Sequence, residues 1–224
     1  MKKVAVFIDW ENLRLDIHHI QRTHINRRDI TFNYNSIRDI TFLIHSFIDT
    51  SEDISKIFFY TALPLSQDEI DKKAKPLPQE IQSKITAYAS TTSEKIRKIH
   101  KQVSSFIKHI AFEEYFAVRL GELKISGFDP NGRPIISQKQ VDMLLGLDIS
   151  HIAYQKLADK VIIFCKDTDI TPALKCARVN GLEVIIASIK EGYKVADKLR
   201  KHSDVLRERS LITIANNLKG VSND

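Results

Sequence analysis

The chain has 224 residues, with 34 lysines and arginines against 28 aspartates and glutamates, a formal net charge of +6 and a pI near 9.2. That length suits a single domain, 1–224, with a sizeable core. No run approaches the roughly 20 apolar residues of a membrane span, the opening Met1–Asn12 turns polar at Asp9, too early for a secretory leader, and two cysteines make neither a disulfide framework nor a zinc spacing.

Both cysteines, Cys165 and Cys176, sit among apolar residues. They read as reduced core thiols, which fits a cytoplasmic location. A basic balance favours nucleic acid over acidic partners, although charge alone is a weak signal. Only seven glycines occur, and none form a phosphate-cradling loop.

Val4-Ala5-Val6-Phe7-Ile8 is an apolar run of strand length, ending at Asp9-Trp10-Glu11-Asn12. A helix is expected from Leu13 to Ile20, and loop from Asn26 to Asn35. From Ser36, apolar residues at Ile37, Ile40, Ile44, Phe47 and Ile48 follow helical spacing. Ile57-Phe58-Phe59-Tyr60 reads as the second strand. Residues 66–110 depart from strand–helix alternation and read as a helical insertion. Pro76 and Pro78 break it early, one helix is expected over Gln79–Ala89, and a longer one runs from about Ser93 to Ile110. The latter carries Lys95, Arg97, Lys98, Lys101 and Lys108 opposite its apolar stripe, a solvated face or a surface for RNA or a protein partner, including a second copy.

Phe116–Arg119 is the third strand, and Asp129-Pro130-Asn131-Gly132 carries turn signals inside a hairpin or loop. Ser137 and Gln140 have capping-box spacing and predict a helix from there to about Gln155. That helix holds Asp142 and, six residues on, Asp148. Six steps of about 100° place them roughly 120° apart around the axis, so only Asp142 aims squarely at a ligand while Asp148 stands behind it or caps.

Val161-Ile162-Ile163-Phe164 is the fourth strand, followed at once by Asp167 and Asp169. Thr171 and Pro172 predict a helix start, and Asn180-Gly181 its stop. Leu182–Ser188 is the fifth strand. Tyr193–His202 is expected to be helical, Asp204-Val205-Leu206 a short edge element, and Leu211–Leu218 a terminal helix. Strands alternating with helices predict a mostly parallel α/β sheet, whose ligand sites lie at the carboxyl ends of its strands. Asp9, Asp142, Asp167 and Asp169 all fall at such ends or at a helix start. Neighbouring carboxylates repel. An all-oxygen set suits Mg2+ or Mn2+.

Three blocks carry a family resemblance. Val6-Phe7-Ile8-Asp9-Trp10-Glu11-Asn12-Leu13 is similar to an opening strand with Asp followed three residues later by Asn. Lys139-Gln140-Val141-Asp142 resembles a Lys-x-x-Asp helix start. Phe164-Cys165-Lys166-Asp167-Thr168-Asp169-Ile170 resembles a Ser-Gly-Asp-Ser-Asp-Phe block, and Leu199 with Ser203-Asp204 a closing Leu-x-x-x-Ala-Asp. Together they resemble the NYN family of PIN-like, metal-dependent ribonuclease domains. Cys165-Lys166 departs from that pattern where Ser-Gly is usual, placing a charged chain beside the acids.

The resemblance implies a three-layer α/β/α fold around a five-stranded sheet of order 3-2-1-4-5. It implies hydrolysis of RNA phosphodiesters, with Mg2+ or Mn2+ held by Asp9, Asp142, Asp167 and Asp169, and Asn12 orienting a water or phosphate oxygen. Asp148 becomes an outer partner. Arg119, Lys139 and Lys166 are candidate phosphate contacts, and Trp10 a candidate base-stacking residue. The main competing reading keeps the fold and the RNA but drops the turnover. A dehalogenase-type phosphatase would want Asp where Glu11 stands, and a topoisomerase-primase-type site would leave Asp142 idle.

Overall fold

The computed structural model describes residues 1–25, 27 and 30–220. Of the predicted loop over residues 26–35, Asn26, Arg28 and Asp29 lie outside the described residues; the rest has no helix or strand.

Strands β1 (Lys2–Asp9), β2 (Glu52–Ala62), β3 (Phe116–Phe128), β4 (Pro134–Lys139), β5 (Lys160–Phe164), β6 (Glu183–Ile189) and β7 (Val205–Arg209) form one sheet. Its order is β4-β3-β2-β1-β5-β6-β7. The five expected strands stand in the expected 3-2-1-4-5 order. The sheet has seven strands rather than five, because a hairpin adds β4 antiparallel to β3 and the element after Asp204 adds β7 parallel to β6. Every other pairing is parallel.

Alternation along β1 sorts the core into two layers. Val4, Val6 and Ile8 face helices α1 (Trp10–Thr23), α2 (Ile37–His45) and α8 (Leu211–Gly220). Ala5 and Phe7 face α5 (Val141–Gln155), α6 (Thr171–Val179) and α7 (Asp197–Arg200). This is the three-layer α/β/α arrangement. A smaller cluster joins α3 (Gln67–Ala74), α4 (Gln79–Ile110) and the β3–β4 hairpin through Ile70, Ile85, Ile125 and Phe128.

Several local expectations are corrected. Residues 79–110 form one helix of 32 residues, not two. The polar stretch Ser90-Thr91-Thr92 does not interrupt it, because those hydroxyls donate to carbonyls of Ala87 and Tyr88 one turn back. Ser137 lies in β4, and Gln140, with φ +75°, precedes α5 without a side-chain cap. The Thr171 hydroxyl donates to the Thr168 carbonyl instead of capping α6, and Asp167 caps a 3-10 turn over Thr168–Ile170. Within residues 193–202 only α7 is helical. Gly132, at φ +79°, lets the hairpin tip press against the backbone of Lys84 in α4, where a Cβ would clash.

The amino end of the sheet is closed by buried charge. Glu52 is 3% exposed and accepts two bonds from the Arg207 guanidinium, at 2.7 and 2.8 Å. The Glu52 carboxyl is held down to about 2, first by Arg207 and then by the Asp49 N–H and Lys160. A depressed carboxyl pKa supplies stability above its unfolded value, which is lost as pH falls toward the folded value. Equilibrium denaturation should therefore show stability falling between about pH 4.5 and pH 2, with that limb flattened in Glu52→Gln. Arg207→Met leaves Glu52 only Lys160 and the Asp49 N–H and should cost about 2–4 kcal/mol at pH 7, below the roughly 3–5 kcal/mol of a fully unpaired buried charge. A cost below about 1 kcal/mol would mean that the pair contributes nothing net.

Candidate metal centre

Strand register sets the site. Asp9, the last residue of β1, pairs with Tyr60 on β2, which pairs with Arg119 on β3. Ile8 pairs with Phe164, so Cys165 stands level with Asp9 on the other flank. By alternation Asp9, Tyr60, Arg119 and Cys165 all turn toward the α5–α6 layer, as Phe7, Ala117 and Ile163 do one step earlier.

Asp9 is 3% exposed. It caps α1 through a bond from the Asn12 N–H at 3.2 Å, and its other oxygen accepts from the Asn12 carboxamide at 2.7 Å. The Cys165 thiol points at that same oxygen from 3.8 Å, and burial pushes this thiol well up, so it stays protonated. The Asp9 pKa is raised, chiefly by burial and further by Asp142, against the opposing Asn12 bonds.

Asp142 stands exposed in the first turn of α5. Its pKa is raised by desolvation first and then by the charges of Asp167 and Asp169. Asp167 is half-buried and accepts the Asp169 N–H at 2.8 Å, while Asp169 is exposed. Among the described residues none of these four carboxylates makes an ion pair. Asp142 adds to the rise at Asp9, and Asp167 and Asp169 add to the rise at Asp142.

The neighbouring acids are neutralised. Asp148 accepts from the Tyr60 hydroxyl at 2.8 Å and from Arg119 Nε at 2.9 Å. Six residues after Asp142, it faces β2 and β3, as the helical geometry predicts. Asp16, 3% exposed, takes the Lys166 ammonium and the Tyr193 N–H. Gly192 packs so close to this carboxylate that a Cβ there would clash.

Two of the expected substrate contacts, Lys166 and Trp10, are thereby reassigned. Lys166 is held by Asp16 and the Tyr193 carbonyl rather than beside the acids. Trp10 is 6% exposed and packs against Phe59 and Phe106, with ring centroids at 5.2 and 5.7 Å. It is too enclosed to stack a base. Arg119 is tied to Asp148 and lies over the Phe58 ring at 5.3 Å, with 38% of its side chain exposed. Lys139 is exposed at the end of β4, three residues before Asp142. Tyr60 and Asp16 escaped the sequence reading. The register partner of Asp9 becomes visible only once strand pairing is known, and Asp16 looks like any acid on an amphipathic helix.

The donor chemistry fits a hard divalent cation: four carboxylates, mutually repelling, with the one nearby sulfur protonated. Among the described residues no three His, Cys, Asp or Glu are already gathered at ligand spacing. Asp142, Asp167 and Asp169, held by no cation, are the side chains that would turn inward toward Asp9.

The NYN domain model matches residues 3–208. No curated protein matches the chain. Among solved structures, a crystal structure of a protein of unknown function, VPA0982 from Vibrio parahaemolyticus RIMD 2210633, is 14% identical and covers 92% of this chain and 92% of its own. Its TM-score of 0.47 is too low to bear on the site.

Two substitutions test this electrostatic picture. A raised carboxyl pKa makes the folded state lose stability as pH climbs from the unfolded value through the folded one. Asp9→Asn keeps a good cap and removes that charge, so its melting temperature in EDTA should exceed wild type at pH 7, with the gap closing toward pH 3. An equal gap at both pH values would sink the idea. Lys166→Met leaves Asp16 buried without its cation and should cost about 3–5 kcal/mol in denaturant unfolding, partly restored by adding Asp16→Asn.

Proposed function

The chain belongs to the NYN domain family, a family of PIN-like, nuclease-type folds, and from that premise we propose that it is a metal-dependent endoribonuclease. The observation that carries the reading is the set Asp9, Asp142, Asp167 and Asp169, at the carboxyl edge of the sheet: Asp142 bears on Asp9, Asp167 and Asp169 bear on Asp142, and among the described residues none makes an ion pair. Every other acid pressed against this edge already has a cation.

These four residues would hold Mg2+ or Mn2+. Such an ion supplies Lewis acidity, lowering the pKa of a coordinated water and offsetting charge on the scissile phosphate. The chain's own groups do the positioning. Asn12 fixes both oxygens of Asp9. Tyr60 and Arg119 hold Asp148, which keeps α5 at a fixed rotation with Asp142 at the edge. Arg119 and Lys139 offer positive charge beside the acids, suited to non-bridging phosphate oxygens. The overall reaction adds water across one P–O bond, with the displaced sugar oxygen taking a proton.

The absence of a gathered ligand set among the described residues favours a second reading: a PIN-like domain in the cytoplasm that binds RNA without cutting it. The two readings separate in one assay. Purified protein is incubated with single-stranded and structured RNA, with Mg2+, with Mn2+, and with EDTA. Cleavage should need the ion. Asp9→Asn and Asp167→Asn should lose more than about 100-fold while staying folded, Asp142→Asn a comparable amount, and Asp148→Asn about 10-fold, the smaller effect typical of a residue that orients ligands. Cleavage that survives EDTA would overturn the proposal. Tight metal-independent binding with no turnover on any RNA would establish the second reading.

A further inference from the structure

A cleft of about 1090 Å3 opens on the opposite face of the sheet from α5, between α1, α4 and the β3–β4 hairpin. It begins where the acidic site ends. Trp10 and Glu11, next to Asp9 in the chain, form part of its lining, as do Thr61 and Ala62, next to Tyr60. Trp10 and Phe106 lie at its base, their rings stacked at 5.7 Å. A polymer crossing the edge at Asp9 would run into it.

The lining has a definite chemistry. Lys101 brings positive charge to the α4 side. The one carboxylate, Glu11, is already held by Arg14 through two bonds, at 2.6 and 3.0 Å. Gln102 from α4 and Gln138 from β4 supply carboxamides able to donate to and accept from a base edge. Tyr34, half-buried and packed edge-to-face with His18 at 6.4 Å, adds an aromatic ring to the lining. A cation for phosphate, amides for base edges and a ring for stacking together suit single-stranded nucleic acid, not lipid or an acidic small molecule. The volume of about 1090 Å3 lies just above the roughly 300–1,000 Å3 that encloses a drug-sized ligand, enough for more than a single nucleotide.

We propose that this cleft is a binding subsite for the single-stranded flank of an RNA substrate. It holds the bases adjoining the phosphate presented to Asp9, with stacking on Tyr34, base edges at Gln102 and Gln138, and a backbone phosphate at Lys101. This rests on the ribonuclease reading for which phosphate is cut, but not for binding. It also gives α4 a role that its sequence left open between a solvated face and an RNA or protein surface: one stretch of the helix lines the subsite.

The test is fluorescence anisotropy of the full chain with a labelled single-stranded oligoribonucleotide in EDTA, where no cleavage occurs. Tyr34→Ala should weaken binding by about 5-fold to 100-fold, the range for losing one stacked base. Lys101→Gln should lower the slope of log affinity against log salt by about 0.7, the loss of one single-strand phosphate contact. Lys190→Gln, outside this cleft, serves as a control and should leave both unchanged. Unchanged binding in Tyr34→Ala and Lys101→Gln proteins with wild-type melting temperatures would overturn the subsite. So would an equal loss in the control, or a bound protein partner that protects the cleft while the oligonucleotide does not. Binding that responds as expected in EDTA, with no cleavage in Mg2+ or Mn2+, would retain the subsite and defeat the ribonuclease reading alone.

Discussion

Like charge forced together is the constraint on which this site depends. Asp9 is fixed by the end of β1 and by its bonds to Asn12, Asp142 by the first turn of α5, and Asp167 by its role in the turn after β5. Asp9 and Asp167 cannot leave without breaking a cap. Burial first, and neighbouring negative charge after it, raises the carboxyl pKa values at Asp9 and Asp142. A fold does not keep such an arrangement for stability, since neutral residues of similar shape would serve the caps as well. Strain of this kind gathers where a ligand of opposite charge relieves it.

The surrounding pairs sharpen that argument. Two further acids lie at the same edge, and both are matched: Asp148 with Arg119 and Tyr60, Asp16 with Lys166. The chain carries six more positive than negative side chains, so cations are not scarce. Lys166 immediately precedes Asp167 and could have neutralised it. Instead Asp16 captures it, together with the Tyr193 loop. The substitution of lysine for the family's glycine is thereby accommodated: its charge is drawn away from the acids and used to clamp the turn that carries Asp167 to α1, the helix that Asp9 caps.

Much of this was legible in the sequence, and the exceptions share a cause. Apolar runs of strand length located β1, β2, β5 and β6, and strand–helix alternation gave their parallel sense, because both signals are local, whereas their order across the sheet came from the family resemblance. The acids were legible for the same reason, each following directly on such a run or at a helix start. What failed was anything decided by a distant partner. Trp10 looked available beside Asp9, yet Phe106, ninety-six residues away, covers it. Lys166 looked like a phosphate ligand until Asp16 was in place. Ser90-Thr91-Thr92 looked like a break, but hydroxyls that bond back to their own helix do not end it. The β4 strand was hidden because Ser137 and Gln140 imitate a helix start, whereas pairing with β3 fixes that stretch as extended.

The two faces of the sheet edge divide the labour. The α5–α6 face carries the acids and follows the family pattern closely. The opposite face is built from what that pattern does not specify: the long α4, and a hairpin whose tip is locked to it by Gly132 and whose strands pack on it through Ile125 and Phe128. Because Trp10 sits between Phe59 of the sheet and Phe106 of α4, the helix is anchored one residue from Asp9. A shift of α4 would disturb that contact before any other near the acids. Whatever occupies the α4 side is thus close to the acidic side, through the buried Trp10 indole next to Asp9.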